Sequence, residues 1–326
     1  MKKSLIMAAT LITVFAGAQE ATKKDTAWKK SGFLGVTGSI TQLSDWQGGG
    51  QPNTAVTAIL NYEATWRGKN GMIWTNKLDG QYGIIKQGDA GGLKTGFRKN
   101  NDQIFFLSKF NAKSFNQHWF YAAQLDFRTQ FAPGYAYENG QRSGAALSDF
   151  TSPAYTQLAL GLDYKPAPYF SAMIAPLAAK ITMVNRQYLA DAGAFGVTAA
   201  VVDANGNITT PGQKTRAEAG GRIVIKFKKD LVKNLNLDSY LDLFSNYLNK
   251  PGNIDVIFNN LVTYKISKVF TASFICQMIY DNDITITRDL NKDGIITPNP
   301  DKNLNEYSGP RLQVLSTFGV GFGYKF

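Results

Sequence analysis

The residues best spaced for chemistry lie in the run Asp289-Leu290-Asn291-Lys292-Asp293-Gly294-Ile295-Ile296-Thr297. Asp289, Asn291 and Asp293 hold positions 1, 3 and 5 of a calcium loop, and Gly294 supplies the sharp turn at position 6. The Ile295 carbonyl would donate at position 7 and Thr297 at position 9, directly or through water. Pro300 stands where the bidentate glutamate of position 12 belongs, with Asp301 one residue later as a substitute. The pattern predicts a weak external calcium site, with calcium an optional ion and no cofactor required. The competing reading is a polar turn, since Asp, Asn and Gly favour turns without any metal.

Other chemistries fare worse. His118 is the one histidine and Cys276 the one cysteine, which excludes disulfide frameworks and Cys-rich zinc sites. A lipid- or peptide-cleaving triad needs a nucleophile, a base and an orienting group within reach of each other. His118 precedes Trp119 at a strand start, and Ser114 in the adjoining turn belongs to no recognisable motif. The glycine-rich run Asp45-Trp46-Gln47-Gly48-Gly49-Gly50-Gln51 lies between two strands rather than before a helix, so it does not read as a phosphate cradle. The expectation is a non-enzymatic protein.

Charge is patterned instead. Where apolar and polar residues alternate, the polar face carries both signs: Glu63, Asp126, Asp238 and Asp242 against Arg128, Arg222, Lys265 and Arg311, with Asp79, Asp163, Glu218, Asp255, Lys77, Lys109, Lys180 and Lys226 extending the set. Mixed charges at close quarters pair and hydrogen-bond, whereas a selective pore carries rings of one sign. A network of this kind implies a constricted or plugged interior, narrowed further by Tyr240, Phe244, Phe170 and Leu261. The excess of 35 Lys and Arg over 24 Asp and Glu falls largely on loops and ends, among them Lys23, Lys24, Lys29, Lys30, Lys228, Lys229 and Lys233. It suits either anionic lipid headgroups or plain surface solubility. No motif supports nucleic-acid binding.

These charges must be positioned by strands. With 31 glycines, 15 tyrosines and 21 phenylalanines, the composition favours strands and turns. Met1-Lys2-Lys3, the apolar run 5–15 and Ala16-Gly17-Ala18 read as a signal peptide over 1–18, with 19–31 a periplasmic segment and 32–326 a barrel. No apolar stretch is long enough for a transmembrane helix. Period-2 alternation recurs near 32–43, 54–66, 72–85, 103–111, 118–131, 155–165, 169–183, 216–228, 235–248, 254–266, 269–281 and 311–326. The clearest case is the last, where Leu312, Val314, Phe318, Val320, Phe322, Tyr324 and Phe326 share one face. Many of these segments reach the ~9–11 residues that cross a bilayer at a tilt.

Short connections (67–71, 112–117, 166–168, 229–234, 267–268) alternate with mostly longer ones (44–53, 86–102, 132–154, 184–215, 249–253, 282–310), as periplasmic turns alternate with external loops. The reading is an all-β protein: a transmembrane antiparallel up-and-down barrel of about 12 strands. Phe322, Tyr324 and Phe326 resemble the terminal signal read by the barrel-assembly machinery, which would be a partner during biogenesis. Outer-membrane lipids would be permanent partners, and an envelope protein is a further candidate. The apolar external stretch 189–197 would fold inward as a plug, pack against a partner, or cover its own loop core.

The runs LSDWQGGGQPNTAVTAILNYEATWRGKNGMIWTNKLDGQYGI, FRKNNDQIFFLSKFN and APLAAKITMVNRQYLADAGAFGV resemble domain of unknown function 3078, a Bacteroidota family, over about residues 30–326. The resemblance implies an outer-membrane barrel of Gram-negative bacteria with no established activity and no catalytic residues to carry over. Three classes follow in order: a structural or accessory barrel of envelope assembly or secretion, a narrow transport channel, and a barrel enzyme.

Overall fold

The computed structural model describes residues 28–41, 53–68, 71–87, 96–138, 141–267, 269–284, 286–289 and 306–326. Twelve strands hydrogen-bond into one closed barrel. They are β1 (Trp28–Thr41), β2 (Asn53–Arg67), β3 (Ile73–Gln87), β4 (Arg98–Lys113), β5 (Trp119–Thr129) and β6 (Ala154–Ala167). Continuing round the ring come β7 (Phe170–Met183), β8 (Thr215–Val232), β9 (Leu235–Asn246), β10 (Ile254–Lys265), β11 (Phe270–Tyr280) and β12 (Gln313–Lys325). Each pairs antiparallel with its sequence neighbour, and β12 returns to β1. The barrel begins at Trp28 rather than 32, because the β1–β2 ladder runs on to Trp28 opposite Trp66. The leader, the calcium-loop residues Asn291, Asp293, Ile295 and Thr297, and Lys23 and Lys24 lie outside the described residues.

Alternation decides which way each side chain points. On β12, Val314, Phe318, Phe322 and Tyr324 are exposed on the outer surface, while Leu315 turns inward to line the interior. Ile174, Leu177, Leu158, Leu160, Val36 and Phe274 continue an apolar exterior round the ring. Aromatic rings crowd the end bearing the short turns: Trp28 lies 5.7 Å from Trp74, Trp119 4.9 Å from Tyr164, Tyr169 5.8 Å from Phe227 and Phe270 4.9 Å from Phe322. An outward apolar band with an aromatic girdle is the surface a membrane barrel shows to lipid.

One irregularity matters for the interior. In β7, Ala175 faces Arg222 and Ala178 faces Gly220, so Pro176 and Leu177 form a bulge. Proline has no N–H for the ladder, and a bulge is where a strand tolerates it. The extra residue flips the parity: Met173 and Ala175 point inward before it, Ala178 and Lys180 after it. Without the bulge, Lys180 would face lipid.

The closing seam is short, six residues of β1 (Phe33 to Gly38) against six of β12. Beyond it, the Gly32 N–H donates to the Phe326 carbonyl at 2.8 Å and the Phe326 N–H to the Gly32 carbonyl at 3.0 Å. The Phe326 ring lies directly on Gly32, so close that a Cβ there would collide with it. It stacks on Tyr62 at 6.5 Å and Tyr324 at 6.1 Å. Gly32 is therefore a glycine by close approach rather than by backbone conformation.

Candidate functional site in the lumen

The interior is crossed by ion pairs that skip strands. At mid-height, Arg222 of β8 reaches past β7 and β6 to Asp126 of β5, and also binds Asp242 on neighbouring β9. Its Nε and one terminal nitrogen donate to the two Asp242 oxygens at 2.8 and 2.7 Å. Gln124 donates to Asp126 at 3.0 Å, and the Tyr240 hydroxyl accepts from Arg222 at 3.1 Å. Arg222, Asp126 and Asp242 are 2%, 4% and 2% exposed, so the triad is desolvated. Two carboxylates on one fork-shaped cation hold because the geometry and extra donors repay that desolvation.

Two further clusters flank the triad. Toward the turn end, Asp163 of β6 takes Lys109 of β4 at 2.8 Å and Lys165 at 3.2 Å, with Asn111 at 2.9 Å and Ser171 at 2.7 Å donating as well. Toward the loop end, Lys180 spans to Asp255 of β10 at 2.6 Å, to Asp281 just past β11 at 3.3 Å, and to Glu218 at 3.4 Å. Arg216 joins Glu218 at 2.8 Å and also pairs with Asp283. A looser group holds Lys77 and Asp79 at 2.9 Å, with Asn61 donating to Asp79 at 2.8 Å.

Of the residues predicted to form the lumen network, Asp126, Arg222 and Asp242 meet in the triad. Glu63 stands across the β2–β3 ladder from Lys77. Asp238 lines the interior with Lys77 and Lys226 and pairs at 3.4 Å with Lys228, its partner across the β8–β9 ladder, whose side chain is 54% exposed. Arg128 lines the loop-end chamber and joins no ion pair among the described residues. One prediction needs correction. Lys265 is exposed, because it ends β10 at the turn-end mouth, where the strand leaves the lumen. Arg311 is half-buried just ahead of β12. Asp289 closes a short strand, Ile286–Asp289, paired with Glu306–Gly309. His118 sits in the turn before β5, beside Gln117 at 3.2 Å and Tyr164 at 6.4 Å.

Arg216, Asp281 and Asp283 escaped the sequence reading because they lie at strand ends, where alternation fades. Lys165 and Ser171 flank a turn for the same reason. Pro176 was the available signal for the bulge that re-aims Lys180.

The loop end is built down as well as out. Val184, Leu189, Ala190 and Val197 bury one another, with Phe195 packed beside them. Phe195 sits at φ 59°, between Gly193 at φ 67° and Gly196 at φ 81°. Holding a phenylalanine in the left-handed region costs about 1–3 kcal/mol. The result of that conformation is visible: Phe195 lines a cavity of about 360 Å³ at the loop end of the lumen. The 189–197 stretch is thus both a loop core and an inward-facing cap.

The cavity shares Asn101, Gln103, Gln277 and Leu315 with a smaller one of about 110 Å³ lined by Lys77, Asp79, Lys226 and Asp238. Outside the barrel, a clasp joins two loops: the Arg186 Nε donates to Asp149 at 2.7 Å, and the Tyr188 hydroxyl donates to the Ala146 carbonyl at 2.7 Å. Burial pushes the Asp149 carboxyl up, but hydrogen bonds from Arg186 and the Phe150 N–H outweigh it and hold the group below the usual range.

The model of a protein family of unknown function, DUF3078, matches residues 39–135, the stretch from late β1 to just past β5. No curated protein matches the chain in sequence. Among solved structures, an outer-membrane channel from Pseudomonas putida F1 is similar over 95% of this chain and 98% of its own, at 10% identity and TM-score 0.36. The translocator domain of the autotransporter NalP from Neisseria meningitidis is similar over 91% and 87%, at 9% identity and TM-score 0.33.

Proposed function

We propose that this chain is a non-enzymatic outer-membrane barrel of a Bacteroidota envelope, structural or accessory to envelope assembly or secretion, with a constricted lumen. The turn end faces the periplasm and the loop end the exterior, after export on the 1–18 leader. The observation that carries the reading is the set of strand-skipping ion pairs across the lumen, with the Arg222 triad at their centre. A solute passing through would have to part buried charges, and breaking such a pair costs about 3–5 kcal/mol.

Planar-bilayer recording of the folded protein tests this directly. Small or absent conductance is expected, and large steady conductance would overturn the closed lumen in favour of a channel. N-terminal sequencing of outer-membrane material should begin at Gln19. A stoichiometric partner in a detergent pull-down is the result an accessory role requires.

A further inference from the structure

We propose that the loop-end chamber is a binding site for a small zwitterion, an amino acid or dipeptide with both termini free. The inference rests on the reading of a constricted lumen open to the outside, since a ligand must enter the chamber and stop there.

The chamber has two poles. At one, the Arg128 guanidinium lies 6.0 Å over the Tyr155 ring and forms no ion pair among the described residues. Its Nε is buried without a hydrogen-bond acceptor there. At the other pole stand Asp255 and Asp281, which share Lys180 with Glu218. Arg216 bridges Glu218 and Asp283, so this cluster sets four carboxylates against two cations. Tyr155, opposite Arg128 across the β5–β6 ladder, lines the chamber together with Arg128, Asp255 and Asp281.

The walls between the poles are amides. Gln103, Gln157, Gln277 and Gln313 line the chamber and make no side-chain hydrogen bond among the described residues. Each offers a donor and an acceptor, the pair a peptide group satisfies. Phe244 and Phe195 supply apolar surface, and 360 Å³ lies at the low end of the roughly 300–1,000 Å³ of small-molecule sites.

The charge arrangement selects the ligand class. A carboxylate would pair with Arg128 in the fork geometry that guanidinium favours. An ammonium group would pair with the acid-rich pole. A simple anion meets the surplus carboxylates and a simple cation meets Arg128, whereas a dipolar molecule satisfies both ends. A neutral sugar would engage the amides and leave both poles unused.

The test is calorimetric binding to the detergent-folded protein, with alanyl-alanine, its N-acetyl derivative, its C-terminal amide and maltose as probes. Alanyl-alanine should bind, and each blocked derivative at least tenfold more weakly. Arg128→Gln should weaken alanyl-alanine about tenfold and leave the amide derivative unchanged, with Arg128→Lys restoring part of the loss. Asp281→Asn should weaken alanyl-alanine and leave the N-acetyl derivative unchanged. Heat-modifiable mobility on a gel establishes that each variant is folded. The site is overturned if maltose binds as well as alanyl-alanine, if Arg128→Gln changes nothing, or if the folded native chain binds none of the probes. Bilayer conductance on the same preparation separates the two readings: large conductance with intact binding defeats only the closed lumen, and silence without binding defeats only the site.

Discussion

The wall running from β4 to β9 and the wall that closes the ring from β11 through β12 to β1 use the same alternating strands, but different glue. In the first, charged side chains cross the lumen and tie strands that are not neighbours in the sheet, as Arg222 ties β8 to β5 and Lys109 ties β4 to β6. In the second, glycines with Thr271 and Ser273 line the turn-end part of the lumen side and Gln277, Ile279, Gln313 and Leu315 the loop-end part, with the Phe33 ring lying across Gly35 and Gly323. What binds the second wall lies largely outside, where Phe322, Tyr324 and Phe326 meet Phe270 and Tyr62. A barrel can thus be keyed from within on one side and laced from without on the other. The keyed wall should be sensitive to charge and the laced wall to shape.

Substitutions should expose that contrast, the most damaging first. Arg222→Met would leave Asp126 and Asp242 buried without their cation, and loss of about 3–5 kcal/mol is expected on denaturant unfolding of the detergent-folded protein. At the seam, Gly32→Val places a side chain where the Phe326 ring lies; overpacking of this kind costs about 1–3 kcal/mol and should lower the folded band on a gel. A double-mutant cycle sharpens the point, because Phe326→Ala removes the obstacle and should relieve much of the Gly32→Val defect. Equal losses in both backgrounds would show that the ring is not what fills the space.

The keyed wall also predicts a difference between two aspartates on one strand. Asp242→Asn weakens a buried triad, whereas Asp238→Asn loosens a pair whose lysine is in solvent, worth about 1 kcal/mol or less. If both cost the same, burial is not what sets the strength of these pairs. The smallest effect concerns the loop clasp. Because Asp149 is held below its ordinary value of 3.8, its pairing with Arg186 contributes fully above that pH and is lost as pH falls through the lowered value. The Gly134–Glu138 and Gln141–Ser148 strands pair antiparallel just before Asp149. Their cleavage by an acid protease should rise below that point, and Asp149→Asn should raise their cleavage by a neutral protease at about pH 7.

Most of the frame was legible in the chain, because a strand facing lipid on one side and charge on the other writes a period of two into its residues. The strand near 235–248 was readable from Leu235, Leu237, Leu241 and Leu243 alone, and the observed strand is Leu235–Asn246. The lumen was legible as a list of inward charges but not as a set of pairs. Which strands a long side chain bridges depends on barrel curvature, and a lysine that skips a strand leaves no mark in local sequence. Lys265 failed as a network member because alternation reports direction and not depth. Phe195 could not be foreseen either, since its left-handed backbone is imposed by the loop around it.

The rings gathered at the turn end have a consequence for how the molecule sits. Paired aromatics such as Trp28 with Trp74 and Trp119 with Tyr164 prefer the headgroup zone, where a flat ring meets both oil and water. Among the described residues the opposite rim shows one comparable pairing, Tyr82 with Phe131 at 6.4 Å. Such a body is moored along one edge and buoyant at the other. In a thinner bilayer the moored rim would keep its depth and the free rim would rise, lifting the loop clasp and the mouth of the chamber further into water.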